Sequence, residues 1–381
     1  MLKRLIFKTV AIMFAFALFV VPAGAAEMEE EIEETSVVAV VEPITSLNLE
    51  QSIRLAVENS TAIAIAKIDH DQAMADLRQA RRDARDIRDM RRDRVPGIFT
   101  YDVQLAERIL PRIMEMVENV SYMNIEFTTN RLKVQVENAY YGVLWAEMEL
   151  QNTRASLSRA KEQLRLIEVG VEAGVNAQVD VLSAELIVAS QELLVAFAEN
   201  SLRQTRMNFN NLVGLTLDDE VILTSSFEFI PQVFNLDEVK ELAKERDILY
   251  FQLRENYEIQ REALNLARGF FTPNVYAYQE AVRNYEIARL NIKNINQDMD
   301  LVIKRAYLNL QTAEERVGLM EKSVEQAREN YRLISLRFEV GMATLFEIEW
   351  ASGELDNAKA ELLSAIYDYN ISATMLRHGL F

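Results

Sequence analysis

Residues 310–338 read LQTAEERVGLMEKSVEQARENYRLISLRF, and the spacing of their apolar side chains decides the fold. Leu310, Ala313, Val317, Met320, Val324, Ala327, Tyr331, Ile334 and Phe338 follow one another at alternating steps of three and four. A strict seven-residue repeat over four heptads predicts a supercoiled helix that seats knobs into holes along a narrow seam. The competing reading, an ordinary bundle helix, usually shows a wider apolar face. The same places recur earlier in the chain as Val143, Ala146, Leu150, Thr153, Leu157, Ala160, Leu164, Ile167 and Val171.

That recurrence is part of a longer self-similarity. A shift of 167 residues lays Ala139-Tyr140 on Ala306-Tyr307, Arg165-Leu166-Ile167 on Arg332-Leu333-Ile334, and Gly174 on Gly341 without a gap. Further on, Glu185-Leu186 matches Glu354-Leu355, and near the front Leu47-Asn48-Leu49-Glu50 matches Phe234-Asn235-Leu236-Asp237. Internal repeats decide architecture before any single motif does. The chain reads as a tandem duplication, residues 45–214 and 232–381, joined by a linker at 215–231.

Each seam ends at glycine. Gly170-Val171-Glu172-Ala173-Gly174-Val175 and Val340-Gly341-Met342-Ala343-Thr344 supply the left-handed residue that closes a helix, with Asn176 or Thr344 placed to cap the next. The returning helices carry Leu186, Ala189, Leu193, Ala196 and Leu355, Ala358, Leu362, Ala365, a large–small heptad pattern that predicts close antiparallel packing. The expected fold is all-α: a tandem repeat of long antiparallel coiled-coil hairpins with little or no β. Single helices over 102–170 and 276–340 would each span roughly 100 Å at 1.5 Å per residue, Pro111 kinking or dividing the first.

Composition supports helices and removes several chemistries. The 381 residues hold 11 glycines, 6 prolines and no cysteine, with 59 acidic against 41 basic side chains, a net charge of −18. Without cysteine there is no disulfide scaffold, thiolate zinc site, iron–sulfur cluster or cysteine-linked lipid anchor. The acidic balance argues against nucleic-acid binding, which needs an excess of Lys and Arg. Residues 1–26 read as a secretory signal peptide: Lys3, Arg4 and Lys8, an apolar core from Leu5 to Val21, then Ala23-Gly24-Ala25-Ala26. A retained membrane anchor is the alternative; cleavage would bring the charge to −21. Residues 27–44 read as an acidic, solvated leader, with a cation- or partner-recruiting tail as the sharper option. No segment after Val21 approaches the roughly 20 apolar residues of a spanning helix. Long amphipathic rods of this kind leave apolar seams to cover, so self-association is expected.

The opening motif Leu49-Glu50-Gln51-Ser52-Ile53-Arg54-Leu55-Ala56-Val57-Glu58-Asn59, the Ala-Tyr pairs, the glycine turns and the segment Arg337-Phe338-Glu339-Val340-Gly341 together resemble the TolC family of outer-membrane efflux ducts. The resemblance covers essentially the whole chain after residue 26. It implies a homotrimer whose hairpins form an α-helical duct across the periplasm, with no cofactor. Its glycine tips would meet a periplasmic adaptor (membrane fusion) protein that links the duct to an inner-membrane pump. By position, Ala173, Gly174, Val175, Val340, Gly341 and Met342 are the adaptor-contact candidates, the bland reading being that the glycines only end helices. Asp180 and Glu347 stand six residues past their glycines, where the resemblance places an inward acidic ring that would favour cations. A first-turn charge is the bland reading. Trp350 stands where a second acid is expected.

Family members carry two β-strands in each repeat that close a barrel on trimerisation. Here Phe270-Phe271-Thr272-Pro273-Asn274 runs straight into a helical pattern, and the first copy offers only Val95-Pro96-Gly97-Ile98-Phe99-Thr100-Tyr101. Neither stretch holds two strands of about 9–11 residues. Two functions therefore stand: a TolC-like duct component of an efflux or type I secretion system, or a non-transporting structural coiled-coil protein of the envelope. Either is exported and periplasmic, associated with the outer membrane. Ile98, Phe99, Phe270 and Phe271 would either dip into a membrane surface or form a packed cap. Just before them stand Arg78, Arg81, Arg82, Arg85, Arg88, Arg91, Arg92 and Arg94 with interleaved aspartates, read either as ion pairs along a solvated helix or as a basic collar for anionic lipid or cell-wall polymer. His70 and His378 lie far apart, and no phosphate loop, nucleophile elbow or metal spacing occurs, so no enzyme is expected.

Overall fold

The computed structural model describes residues 46–174, 176–225 and 228–379. The signal peptide, the acidic leader and Val175 lie outside the described residues. The chain runs β1 (Ser46–Leu47), α1 (Leu49–Asn59), α2 (Thr61–Arg92), α3 (Tyr101–Arg108), α4 (Leu110–Glu172), α5 (Gln178–Val213), β2 (Ile222–Leu223), α6 (Leu236–Arg246), α7 (Ile248–Phe270), α8 (Tyr276–Glu339) and α9 (Leu345–His378). The all-α expectation holds: among the described residues the strands are one two-residue parallel pair, Ser46 opposite Ile222 and Leu47 opposite Leu223.

Helix breaks recur at matching places in the two halves of the chain. Asn48 caps α1 by accepting from Gln51 N–H at 2.8 Å while its own N–H donates to Gln51 Oε1 at 2.9 Å. Asn235 stands at the equivalent place before α6 and accepts from Asp237 N–H at 3.0 Å. The interruption at Ser60, between α1 and α2, recurs at Asp247 between α6 and α7. The 167-residue shift carries the end of α4 at Glu172 onto the end of α8 at Glu339. Pro111 divides the first long helix as expected: with no N–H to donate, it sits in the first turn of α4, and the break falls at Ile109. The two candidate barrel segments are short turns into helices.

The compact units do not follow the repeats. One takes Ala62–Phe127 with Lys244–Met299, the other Thr45–Thr61, Thr128–Ala243 and Asp300–Phe381, so each draws on both copies. In the first unit Leu105, Ile109 and Met116 pack on Ile259 and Ala263. In the second, every seam position read from the sequence over 143–171 and 310–338 is at least partly covered.

One expectation reverses. In α9 the returning stripe is inside, with Leu355, Ala358 and Ala365 at 5%, 6% and 0% exposure. In α5 the matching stripe points outward, with Leu186 at 72% and Leu193 at 56%, joined by Val179, Leu182 and Phe197. The cause is a second heptad register on α5: Val181, Ala184, Val188, Val195 and Leu202 provide the face that the hairpin covers. Two apolar stripes on one helix also make α5 long and apolar enough to cross a membrane by length and composition, which corrects the expectation that no segment after Val21 approaches that limit.

Candidate functional site

The two glycine turns lie in the second unit and share one apolar floor. Ile167, Val181 and Ala184 are buried together, with Leu164, Val171, Phe338 and Leu345 packed against them, so both hairpins meet there. Gly341 has φ +73°; its N–H donates to Phe338 O and Met342 N–H donates to Arg337 O, the paired bonds of a left-handed helix stop. Gly174 has φ +74°, and nothing stands within 4 Å of a Cβ at either position, so backbone conformation alone selects glycine. Gly170 is different: a Cβ there would lie 2.5 Å from Asn176 Nδ2, which reaches back to Ile167 O. Asn176 is thus spent on α4, and Ala177 takes the N-cap place of α5. Thr344 caps α9 as read.

Both candidate ring acids serve as caps. Asp180 Oδ2 accepts from Ala177 N–H at 2.9 Å. Glu347 Oε2 accepts from Thr344 N–H at 2.7 Å and from Thr344 Oγ1 at 2.9 Å, and Arg337 stands 3.9 Å from Glu347 Oε1. These backbone and side-chain hydrogen bonds, with Arg337 adding its charge, hold the Glu347 carboxyl below the usual range, so it is ionised at neutral pH. Around the tip, Val340, Met342, Phe346 and Trp350 are exposed, and the Phe346 and Trp350 rings lie 6.3 Å apart.

Sequence reasoning missed a polar seam between α4 and α9. Arg159 Nη2 approaches Asp356 Oδ1 at 2.5 Å, Ser156 Oγ donates to Asp356 Oδ2 at 2.7 Å, and Arg159 Nε donates to Ser352 Oγ. Burial, and after it the Asp356 charge, pushes the Glu149 carboxyl up; Glu349 is raised by burial too, with Arg159 opposing. The overlooked signal was polar residues at heptad spacing, Ser156 and Gln163 on one helix, Ser352, Asp356 and Lys359 on the other. A second polar centre holds Glu137, whose carboxylate accepts from Thr374 Oγ1 at 2.7 Å beside Arg377 at 3.3 Å and His378 at 3.2 Å. Burial alone would raise its pKa, but these hydrogen bonds and the Arg377 charge bring it below the usual value.

The remaining sequence candidates lie in the first unit. Ile98 is not available to a membrane: at 1% exposure it packs with Ile87, Val103 and Ala106. Phe99 is 63% exposed. Tyr101 holds Phe270 and Phe271 by edge contacts at 5.8 and 4.9 Å, leaving Phe270 partly exposed. Arg81 pairs with Glu115, and Arg88 and Arg91 converge on the buried Glu107 carboxylate at 3.5 and 2.8 Å. Among the described residues the interleaved aspartates form ion pairs with Arg92 only, whereas Arg78 and Arg85 donate to backbone carbonyls and Arg82 to Gln79. Among the described residues no cluster of His, Asp and Glu fits a metal ion.

Long helical hairpins ending in paired glycine turns match a known sequence profile. The profile described as outer membrane efflux protein matches residues 127–215 and 270–380, together more than half of the chain. The chain belongs to the outer membrane efflux protein family. Solved structures give the same fold. The outer membrane protein VceC of Vibrio cholerae superposes with a TM-score of 0.64 at 14% identity, over 87% of this chain and 95% of its own. The CmeC outer membrane channel of Campylobacter jejuni gives 0.66 at 14%, over 93% of each chain. The open MtrE outer membrane channel of Neisseria gonorrhoeae gives 0.62 at 14%, over 87% and 88%. At such identities the likeness is one of fold. No curated protein matches this efflux-family chain by sequence. Both matched segments contain a glycine turn and its flanking helices; the arginines of α2 lie outside them.

Proposed function

We propose that this efflux-family protein is the duct component of an envelope efflux or type I secretion system, working as a homotrimer. The observation that supports it is the outward stripe of α5. Val179, Leu182, Leu186, Ala189, Leu193 and Ala196 keep heptad spacing over a face that the described residues leave in water. Such a seam is completed by another helix, and a second copy supplies one at every subunit boundary of a closed ring. The tips carry the partner contact: Val340, Met342 and the Phe346–Trp350 pair give an apolar surface at the glycine turns on which the hairpin of a periplasmic adaptor would sit, with an inner-membrane pump behind it. Asp180 and Glu347 contribute carboxylates at the same end, a ring that favours cations when copies assemble.

Native mass together with negative-stain images of the purified chain tests this reading. A trimer with an axial lumen is expected, and Leu186→Glu with Leu193→Glu is expected to give folded monomers. A wild-type monomer sinks it. A second reading, a structural coiled-coil protein of the envelope, is favoured by the short turns at 93–100 and 271–275, where no spanning strand is present. It predicts a solid bundle in the same images.

A further inference from the structure

The arginines of α2 are sorted by helix geometry. At 3.6 residues per turn, Arg78, Arg81, Arg82, Arg85, Arg88 and Arg92 fall within an arc of about 120°. Asp76 and Asp83 lie outside it, on the far side of the buried stripe of Leu77, Ala80, Ala84 and Ile87, and Asp86 stands about 40° beyond its edge. Ion pairing along the helix is therefore sparse: Asp76 and Asp83 emerge on the opposite flank, Asp86 makes no ion pair with Arg82 among the described residues, and Arg92 takes Asp89 at 3.4 Å and Asp93 at 3.9 Å. In a chain of net charge −18, Arg78, Arg82 and Arg85 are left without an ion pair among the described residues. Arg108 of α3 joins them, and with Arg81, Arg85 and Arg88 it lines a cleft of about 600 Å³. The acids in its wall are already engaged, Glu107 by Arg88 and Arg91, and Glu262 by Arg112 at 2.8 Å.

Beyond the cleft, α2 stops in an unusual way. Arg94 N–H donates to Arg91 O and Val95 N–H to Met90 O, the same left-handed stop made by Gly341, yet the residue with positive φ, at 56°, is arginine. Glycine would hold that conformation without the Cβ penalty, so a cation occupies a strained place at the end of the basic face. The turn that follows presents Phe99, and Phe270, which Tyr101 contacts, and Tyr276 are exposed at the same end. Aromatic rings at a tip, backed by arginines from about 10 Å (Arg85) to about 21 Å (Arg78) along the helix from its end, are suited to an acyl boundary and its phosphates.

We propose that this end of the first unit is a peripheral membrane-binding surface for anionic phospholipid. Arg85 and Arg108 grip a headgroup phosphate in the cleft, Arg94 adds charge at the rim, and Phe99 and Phe270 enter the headgroup–acyl boundary. Guanidinium groups suit the site because they bind phosphate oxygens bidentately and shed water more readily than ammonium groups. The proposal stands apart from the duct reading, since it needs neither a lumen nor an adaptor.

Vesicle flotation of the purified chain tests it, with vesicles of phosphatidylglycerol in phosphatidylcholine beside vesicles of phosphatidylcholine alone. Binding to the anionic vesicles only, weakened by salt, is expected. Replacing Arg78, Arg82, Arg85 and Arg108 with Gln should lower partition by roughly fivefold for each of Arg85 and Arg108, the two in the cleft, hence by at least about twentyfold. Arg94→Gly, which relieves backbone strain, should weaken partition while its melting temperature holds or rises, so its loss of binding is not a loss of fold. Equal binding to neutral vesicles, or undiminished binding by both variants, overturns the proposal. So does a chain that ignores vesicles but pellets with isolated cell wall, responds only to inorganic phosphate, or loses its oligomeric state when the four arginines are neutralised.

Discussion

Arg159 of the first repeat and Asp356 of the second face each other at 2.5 Å, both largely withdrawn from water, and Ser156 completes the carboxylate's shell. The guanidinium also lies 5.6 Å from the Tyr331 ring centroid. One side chain therefore ties α4, α8 and α9 together. Arg159→Met should cost about 2 kcal/mol, because it removes the ion-pair partner of Asp356 beside Glu149 and Glu349. Asp356→Asn in the same background should cost little more. Denaturant unfolding of the four members of that cycle measures the coupling; strict additivity would show that the pair contributes nothing.

Glu349 gives the opposite sign. Its carboxyl is raised above the usual 4.5, burial being the main cause, and one of its oxygens is buried without a hydrogen-bond partner among the described residues. A carboxyl with a raised folded-state pKa loses stability as pH climbs from the unfolded value through the folded one. Glu349→Gln should therefore be the more stable protein at neutral pH, by up to about 1 kcal/mol given partial exposure. That advantage should fade in acid, which melting curves at several pH values will show.

Glu137 titrates the other way. With its folded value depressed, its contribution is complete above the ordinary glutamate value near 4.5 and is lost as pH falls through the folded one. Glu137→Gln should cost about 2–3 kcal/mol near neutrality, since Thr374, Arg377 and His378 all address that carboxylate. The gap between wild type and variant should close below pH 4.5; a gap independent of pH would assign the loss to packing.

Glycines in the same backbone region should not cost the same to replace. Gly341→Ala adds only the left-handed penalty of roughly 1 kcal/mol, for nothing lies near its Cβ. Gly214 has φ +86° and its Cβ would come within 2.7 Å of Asn59, whose amide donates to Val213 O. Gly214→Ala should lower the melting temperature at least twice as far, and the reverse order would contradict the packing of α1 on α5.

Much of the fold was legible along the chain. The heptads of 143–171 and 310–338 found their seams, and the shift of 167 residues matched the ends of α4 and α8, because local period and left-handed glycine both act through near neighbours. The site was less legible. Asp180 and Glu347 were placed correctly past their turns, but their engagement as caps depends on rotamers. Between the two readings of Ile98, membrane contact or packed cap, only its burial against Ile87 and Val103 decides, in favour of packing. Asp76 and Asp83 of α2 find no arginine among the described residues because proximity in sequence says little about the flank of the helix on which a charge emerges, whereas Asp89 and Asp93 do pair with Arg92.

By itself the sequence determined that this chain would be long helices, twice repeated, stopping at paired glycines, since those properties follow from periodicity and backbone conformation. Tertiary structure alone decided which stripe of each returning helix faces inward. Leu186–Ala189–Leu193 and Leu355–Ala358–Leu362 carry the same pattern, and only the packing of the other helices leaves the first in water and covers the second. Hydrophobic burial is blind to order along the chain: it rewards whichever stripe finds a neighbour, and among the described residues the outward stripe of α5 finds none.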